Sequence, residues 1–229
     1  MLQPIPPLVP PNLSRMRPDA LLLDFDGVIL DSVPIKIDAF LKIYANEPPE
    51  KLQAVFDHQR AHGGVTRRVK FRHFETQVFG RTVTDEIIES LSASYTRLVH
   101  EAVLTCPFIP GARELLECAH GRAAMHVISG TPHEELADIV NRRGLAPYFA
   151  TLHGAPATKL DAFREIVSTR GYLPHRVLAI GDATTEFLAA TELGIPFLGV
   201  TPAGEPATFP AGVPVVASLE GVATVLGFE

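Results

Sequence analysis

Two aspartates with a single residue between them, Asp24 and Asp26, stand at the end of the run ALLL and directly ahead of Gly27. Such a pair can divide labour, one carboxylate attacking phosphorus while the other moves a proton. A glycine beside them lets the backbone turn sharply or approach a ligand. The same residues also read as loop-capping aspartates, which are common at strand ends. Further along, Ser129-Gly130-Thr131 follows the run AMHVI. A hydroxyl and exposed N–H groups ahead of a helix can cradle a phosphate. An ordinary N-cap with Pro132 as the first helical residue is the plainer alternative. Lys159 opens a helical stretch, where a cation opposes the helix dipole unless an anion lies in front of it; a solvated lysine is the alternative. Asp182 follows Gly181 and precedes Glu186 by four residues. Beside Asp24 it would make an oxygen-rich site suited to Mg²⁺, and otherwise it caps a helix whose first turn holds Glu186. Each group has a structural explanation by itself. Their order, with each coming after an expected strand, is far harder to reach by accident.

Bringing these groups together requires strands that end where they stand. Residues 20–25 read as a buried strand with a turn at its C-terminal end. From Pro110 onward the pattern alternates. Helix 110–119 is followed by strand 124–129, helix 132–143 closed by Gly144, strand 148–152 and helix 159–170 closed by Gly171. Strand 176–180, helix 184–193 closed by Gly194, and strands 195–200 and 213–217 complete it. Alternation of this kind predicts an α/β fold, a parallel sheet with helices on both faces, whose ligands bind at the C-terminal ends of the strands. Residues 33–105 carry no strand pattern. Apolar residues recur there at helical spacing, as Ile35/Ala39/Ile43, Val69/Phe74/Val78 and Ile87/Leu91/Tyr95/Leu98, with Pro48-Pro49 and Gly63-Gly64 as punctuation. The expected organisation is a proline-rich tail at 1–18, a core formed by 19–32 and 106–229, and a helical insert at 33–105.

The chain resembles the haloacid dehalogenase superfamily of aspartyl phosphotransferases over residues 20–200. DFDGVILDS at 24–32 is similar to its first motif, VISGT at 127–131 to its second, Lys159 to its third and GDATTE at 181–186 to its fourth. The insert follows the first motif, where this family places its helical type C1 cap, as in the phosphoglycolate phosphatase and β-phosphoglucomutase branch. The resemblance implies a Rossmann-like sheet of strand order 5-4-1-2-3 or an extension of it. It implies that Asp24 attacks phosphorus to form an aspartyl-phosphate, and that Asp26 protonates the leaving oxygen and then activates water. Mg²⁺ would be held by Asp24, the Asp26 carbonyl and Asp182, with Glu186 acting through a water. Ser129, Gly130 and Lys159 would take the phosphoryl group, since phosphoryl transfer is mainly positioning and stabilisation of spread negative charge. Glu186 and Ala183 depart from the family, which often has aspartate and serine there, and this leaves room for a weakened enzyme. Aspartate at position 26 favours phosphate esters over organohalides, because halide leaves unprotonated.

The insert is locally basic, with Arg60, Arg67, Arg68, Lys70, Arg72 and Arg81. GVTR at 64–67 resembles the substrate-facing loop of mutase-like caps, a role carried here to Arg67. The longer HGGVTRRVKFRHF at 62–74 is similar to phosphatases of unknown specificity in the superfamily. Arginines over the site would hold an anionic group through paired hydrogen bonds, and a hinged lid would exclude water. A solvated helix face is the alternative. His58, His62, His73 and His100 are taken as scattered, without H-x₃-H ligand spacing, and read as structural or surface residues.

The net charge of −6 gives no support to a nucleic-acid footprint. No apolar run reaches the ~18 residues of a membrane span. Residues 1–18 lack the apolar stretch and cleavage site of a signal peptide. Two cysteines make neither a disulfide scaffold nor a zinc-knuckle spacing and point to a reducing cytoplasm. The expected protein is a monomeric or homodimeric Mg²⁺-dependent phosphatase of a small phosphorylated metabolite, with neither nucleic acid nor membrane as partner. A phosphomutase of the same fold and a non-catalytic regulator are the alternatives.

Overall fold

A computed structural model of the chain describes residues 13–14, 16–206 and 208–228. Its centre is a six-stranded parallel sheet of order β3-β2-β1-β4-β5-β6, which extends the anticipated order by one strand. The strands are β1 (Ala20–Leu23), β2 (Ala124–Pro132), β3 (Thr151–Ala155), β4 (Val177–Gly181), β5 (Phe197–Val200) and β6 (Val215–Val216). Leu23 pairs with Val127 on one side and Ile180 on the other. The winding therefore reverses at β1, and a reversal opens a crevice beyond the carboxyl ends of the neighbouring strands.

Alternation along the strands divides the core in two. Leu21, Leu23, Met125, Val127, Leu178 and Ile180 face one layer, formed by α5 (Ala112–Ala119), α6 (His133–Arg142) and α9 (Val222–Leu226). Ala20, Leu22, Ile128, Val177 and Ala179 face the other, formed by α7 (Lys159–Arg170) and α8 (Thr184–Glu192). β1, β4 and β5 are buried on both faces, which is why they read as continuous apolar runs.

Between β1 and α5 lie α1 (Val33–Ile43), α2 (Pro49–Ala61), α3 (Arg67–His73), a π-helical turn (Phe74–Val78) and α4 (Asp85–Thr105). Aromatic rings form their centre: Phe40 lies 4.5 Å from Tyr95 and 5.0 Å from Phe71, centroid to centroid. No helix among the described residues is long and apolar enough to cross a membrane. Both cysteines are free thiols.

Several local expectations need correction. The buried stripe of α4 is Ile88, Tyr95, Val99 and Val103, whereas Ile87 and Leu98 are exposed. With Ile87 and Ile88 adjacent, two stripes about 100° apart fit the same sequence, and only the packed partners select one. Val69 is exposed too. β2 continues through Ser129-Gly130-Thr131 with a register shift before Pro132, so Pro132 is the N-cap of α6 rather than its first helical residue. β3 begins at Thr151, after a 3₁₀ turn at Ala146–Tyr148. Within the expected tail, Leu13 is buried and Met16 packs against the core; residues 1–12 and 15 lie outside the described residues.

Candidate active site

The carboxyl ends of β1, β2 and β4 bring the strand-end residues to one cleft. Asp24 is buried where β1 ends, its N–H donating to the Ile180 carbonyl at 3.0 Å. The chain then curls back, with Gly27 N–H donating to Leu30 O at 2.8 Å. Gly27 is required twice over: its φ is +79°, and a Cβ there would overlap the Asp182 carboxylate.

Lys159 Nζ lies 2.8 Å from Asp24 Oδ1 and 2.6 Å from Glu186 Oε1, and it donates to the Ile128 carbonyl at 2.5 Å. Burial would lower its pKa, but the two carboxylates hold it charged and above its ordinary range. Oxygens of Asp24, Asp182 and Glu186 all lie within 4.8 Å of one another. Burial first, and then mutual repulsion against the pull of Lys159, raises the Asp24 carboxyl to about 7. The same two causes, in the same order, raise Asp182 well above the carboxylate range. Glu186 Oε1 accepts from Thr185 Oγ1 at 3.0 Å, while buried Oε2 has no hydrogen-bond partner. Three crowded carboxylates, one with an orphaned oxygen, form an all-oxygen donor set that fits a hard divalent cation.

Asp26 has a separate set of partners. Its Oδ1 accepts from Ser32 at 2.6 Å, and its Oδ2 accepts from Ser129 and Thr131, each at 3.2 Å. Lys36 Nζ lies 2.5 Å from Oδ2 and donates to Thr131 Oγ1 at 2.8 Å. Burial would raise Asp26, but Lys36 and the hydroxyls outweigh it and hold the carboxyl below its usual range. The two aspartates are therefore pushed apart, Asp24 upward and Asp26 downward.

The helical insert closes over this cleft. The Gly63-Gly64 loop lies on the core: a Cβ on Gly130 would come 2.8 Å from Gly64 O, and one on Gly64 would strike Thr185. The space between insert and core is a cavity of about 900 Å³, lined by Asp24, Asp26, Lys36, Arg67, Lys70 and Asp182 among others. Arg67 borders this cavity, but its guanidinium is engaged elsewhere, 2.8 Å from Glu135 Oε1 and donating to Thr96 Oγ1 at 2.6 Å. Arg68 is exposed and paired with Glu89.

Three contacts lie outside the expectations from sequence. Lys36 was visible only as a helix residue, because its contact with Thr131 spans 95 positions. Thr131, which the sequence offered both as part of a phosphate cradle and as a cap, donates to Asp26. His58 and His62 are not scattered: they stand four apart on α2, the H-x₃-H spacing, which puts them on one helix face. They stack at 4.0 Å, and His73 stacks on the other side of His58 at 3.9 Å.

Over 188 residues the chain is 22% identical to the phosphoglycolate phosphatase of Synechococcus elongatus, covering 80% of this chain and 83% of that protein. Its fold is similar to a Haemophilus somnus protein described as a predicted phosphoglycolate phosphatase, with a TM-score of 0.72 and 16% identity over 91% of this chain and 98% of that one. It is similar also to Rhodobacter sphaeroides CbbY in complex with phosphate, with a TM-score of 0.68 and 15% identity over 88% and 95% of the two chains. A family pattern described as haloacid dehalogenase-like hydrolase matches residues 21–200, from the first strand to the end of β5, and the chain therefore belongs to that family.

Proposed function

We propose that the chain is a divalent-metal-dependent phosphatase that hydrolyses a small phosphorylated metabolite through an aspartyl-phosphate on Asp24. The observation that carries it is the pairing of buried Asp24, in contact with Lys159, with an Asp26 that is held by an independent set of hydroxyls and one lysine. Held by different partners, the two carboxylates can take different roles, and a cation bound beside Asp24 would keep that carboxylate ionised for attack. The name of the Synechococcus relative supports a phosphate ester as substrate and puts phosphoglycolate first among compounds to test.

In the first half-reaction an Asp24 oxygen forms a bond to phosphorus as the ester P–O bond breaks, and Asp26 gives its proton to the departing oxygen. In the second, Asp26 takes a proton from the water that attacks the aspartyl-phosphate, releasing inorganic phosphate and restoring Asp24. Ionised Asp26, as Lys36 holds it, is ready for the second half. The first half needs the protonated acid: a phosphoryl dianion entering beside Lys36 draws that ammonium away and raises the Asp26 carboxyl, which takes its proton from solvent or keeps the one drawn from the attacking water of the previous turnover. Lys159, the Ser129 hydroxyl and the N–H groups around Gly130 receive the phosphoryl oxygens. Asp24, Asp182 and Glu186, with the Asp26 carbonyl, would hold the cation, which when bound neutralises carboxylate and phosphoryl charge together.

Phosphate release from a panel of phosphorylated metabolites, with Mg²⁺ and with EDTA, tests the proposal. Release is expected to require metal and to fall by about a thousandfold or more in Asp24→Asn, with folding intact. Turnover that survives Asp24→Asn would remove the nucleophile assignment. Sugar-phosphate isomerisation without phosphate release would replace the phosphatase by a mutase.

A further inference from the structure

Four cationic side chains line the cavity between insert and core: Lys36, Arg60, Arg67 and Lys70. Three of them have carboxylate partners. Lys36 is paired with Asp26, Arg67 with Glu135 and Arg60 with Glu205. Lys70 has none among the described residues. It projects from α3, is only 4% exposed, and its ammonium makes neither an ion pair nor a hydrogen bond among the described residues; the nearest aromatic ring, Phe40, has its centroid 6.0 Å away.

An ammonium removed from water without a counter-charge is costly, and proteins ordinarily neutralise or pair it. Nothing in the packing of α3 requires a lysine there, since a methionine fills similar space without the charge. Burial first and then Lys36 press the ammonium down to about 7, and the attraction of Asp182 and Asp26, neither of which is paired with it, does not restore it. The core already supplies Lys159, Ser129 and Thr131 around the two aspartates. Lys70 comes from the lid rather than the core, borders the same cavity and feels the field of Asp182 and Asp26 without pairing with either.

Resting on the phosphatase reading, we propose that Lys70 is a specificity-determining residue that binds a second anionic group of the substrate, so that the preferred substrates are phosphate esters carrying a carboxylate or a further phosphate at a fixed reach from the ester. Neutral esters of the same size would leave the Lys70 ammonium buried and unpaired, and discrimination of this kind is strong because an unsatisfied buried charge is expensive.

The test is equilibrium binding by calorimetry in Mg²⁺ buffer, using ligands without a hydrolysable ester. ω-Phosphonocarboxylates and alkylene bisphosphonates of increasing chain length are compared with alkylphosphonates of equal length, on the parent chain, Lys70→Gln, Lys70→Met and Lys70→Arg. A charge-assisted hydrogen bond predicts a preference of roughly tenfold or more for the doubly anionic ligand at one chain length. That preference is lost in the Gln and Met variants and kept in the Arg variant. The better of the two anionic series tells whether the second group is a carboxylate or a phosphate. Equal binding of charged and neutral ligands, binding of neither, a preference that persists in Lys70→Gln, or an equal weakening of all ligands (Lys70 then serves the phosphoryl group itself) overturns the proposal. Because phosphonates are not turned over, failure of every ester to release phosphate would count against the phosphatase reading alone.

Discussion

Arg67 on α3 and Glu135 on α6 meet at 2.8 Å with both side chains almost wholly buried, and they tie the helical insert to the core. Thr96 on α4 completes the clasp by donating to Glu135 Oε2 at 3.1 Å, and Tyr95 places its ring 4.7 Å beneath the guanidinium. Removing one member of a buried pair strands the other, at a cost of roughly 3–5 kcal/mol, whereas replacing both by apolar groups is often neutral. Arg67→Ala and Glu135→Ala should each lower the urea midpoint markedly, while Arg67→Met combined with Glu135→Leu should recover most of the loss. Purely additive losses in that double-mutant cycle would show that the two residues act independently.

Metal should stabilise the fold as well as support turnover. Asp24, Asp182 and Glu186 crowd together around a single lysine, and cation binding relieves that repulsion. A ligand bound only to the native state at a hundred times its Kd adds about 2.7 kcal/mol. The thermal midpoint should rise with Mg²⁺ and return with EDTA, and Glu186→Gln should reduce the rise. A midpoint insensitive to millimolar Mg²⁺ would leave the carboxylate cluster without a cation.

Lys36 should set the acidic limb of the pH–rate profile. Its ammonium is the largest influence holding Asp26 below the ordinary carboxylate range. In Lys36→Met that hold is removed, the Asp26 carboxyl rises, and less of it is ionised at a given acidic pH. The acidic limb of kcat should therefore move toward neutrality by about one unit or more. A limb that stays in place would mean that another group controls Asp26.

Stability should fall in mild acid because of His126. This residue is fully buried in β2, its Nδ1 2.7 Å from Thr151 Oγ1, and burial first, then Arg170 and His153, lowers its pKa to about 4. Between the unfolded value near 6.5 and about 4, the unfolded chain takes up a proton that the native state refuses. Stability is therefore whole above that window and is lost as pH falls through it, by roughly 2–3 kcal/mol from pH 7 to 4.5. His58, also lowered to about 4 by burial and by His62 and His73, acts in the same direction. His126→Gln should flatten the slope of unfolding free energy against pH, as denaturant titrations at several pH values would show. An unchanged slope would move the effect to other groups.

The arrangement of the core was open to reading because its signals are local. Apolar runs of strand length, glycines after helices and a polar residue at each strand end are written in consecutive positions, and the parallel order follows from the alternation of elements. Boundaries moved by a few residues where local signals conflict, as at Thr131-Pro132, where strand pairing with β3 overrode an N-cap pattern. On α4 the periodicity was correct while the buried face was not, because adjacent isoleucines leave the helix's rotation undecided.

Residue identity by itself determined which groups this protein has at or just after its strand ends: Asp24 and Asp26 two apart, then Ser129, Lys159, Asp182 and Glu186. What those groups face was decided by the tertiary structure alone. Arg67, expected over the substrate, is spent on Glu135, and Lys36, a helix residue without a motif, neutralises Asp26. Lys70, one of several basic residues in the insert, is the cavity cation left without a carboxylate among the described residues. A charge's partner depends on distances of a few ångströms between residues far apart in the chain, and Coulomb energy in a buried cleft changes steeply over that range. Spacing along a sequence carries no such information until the chain has folded.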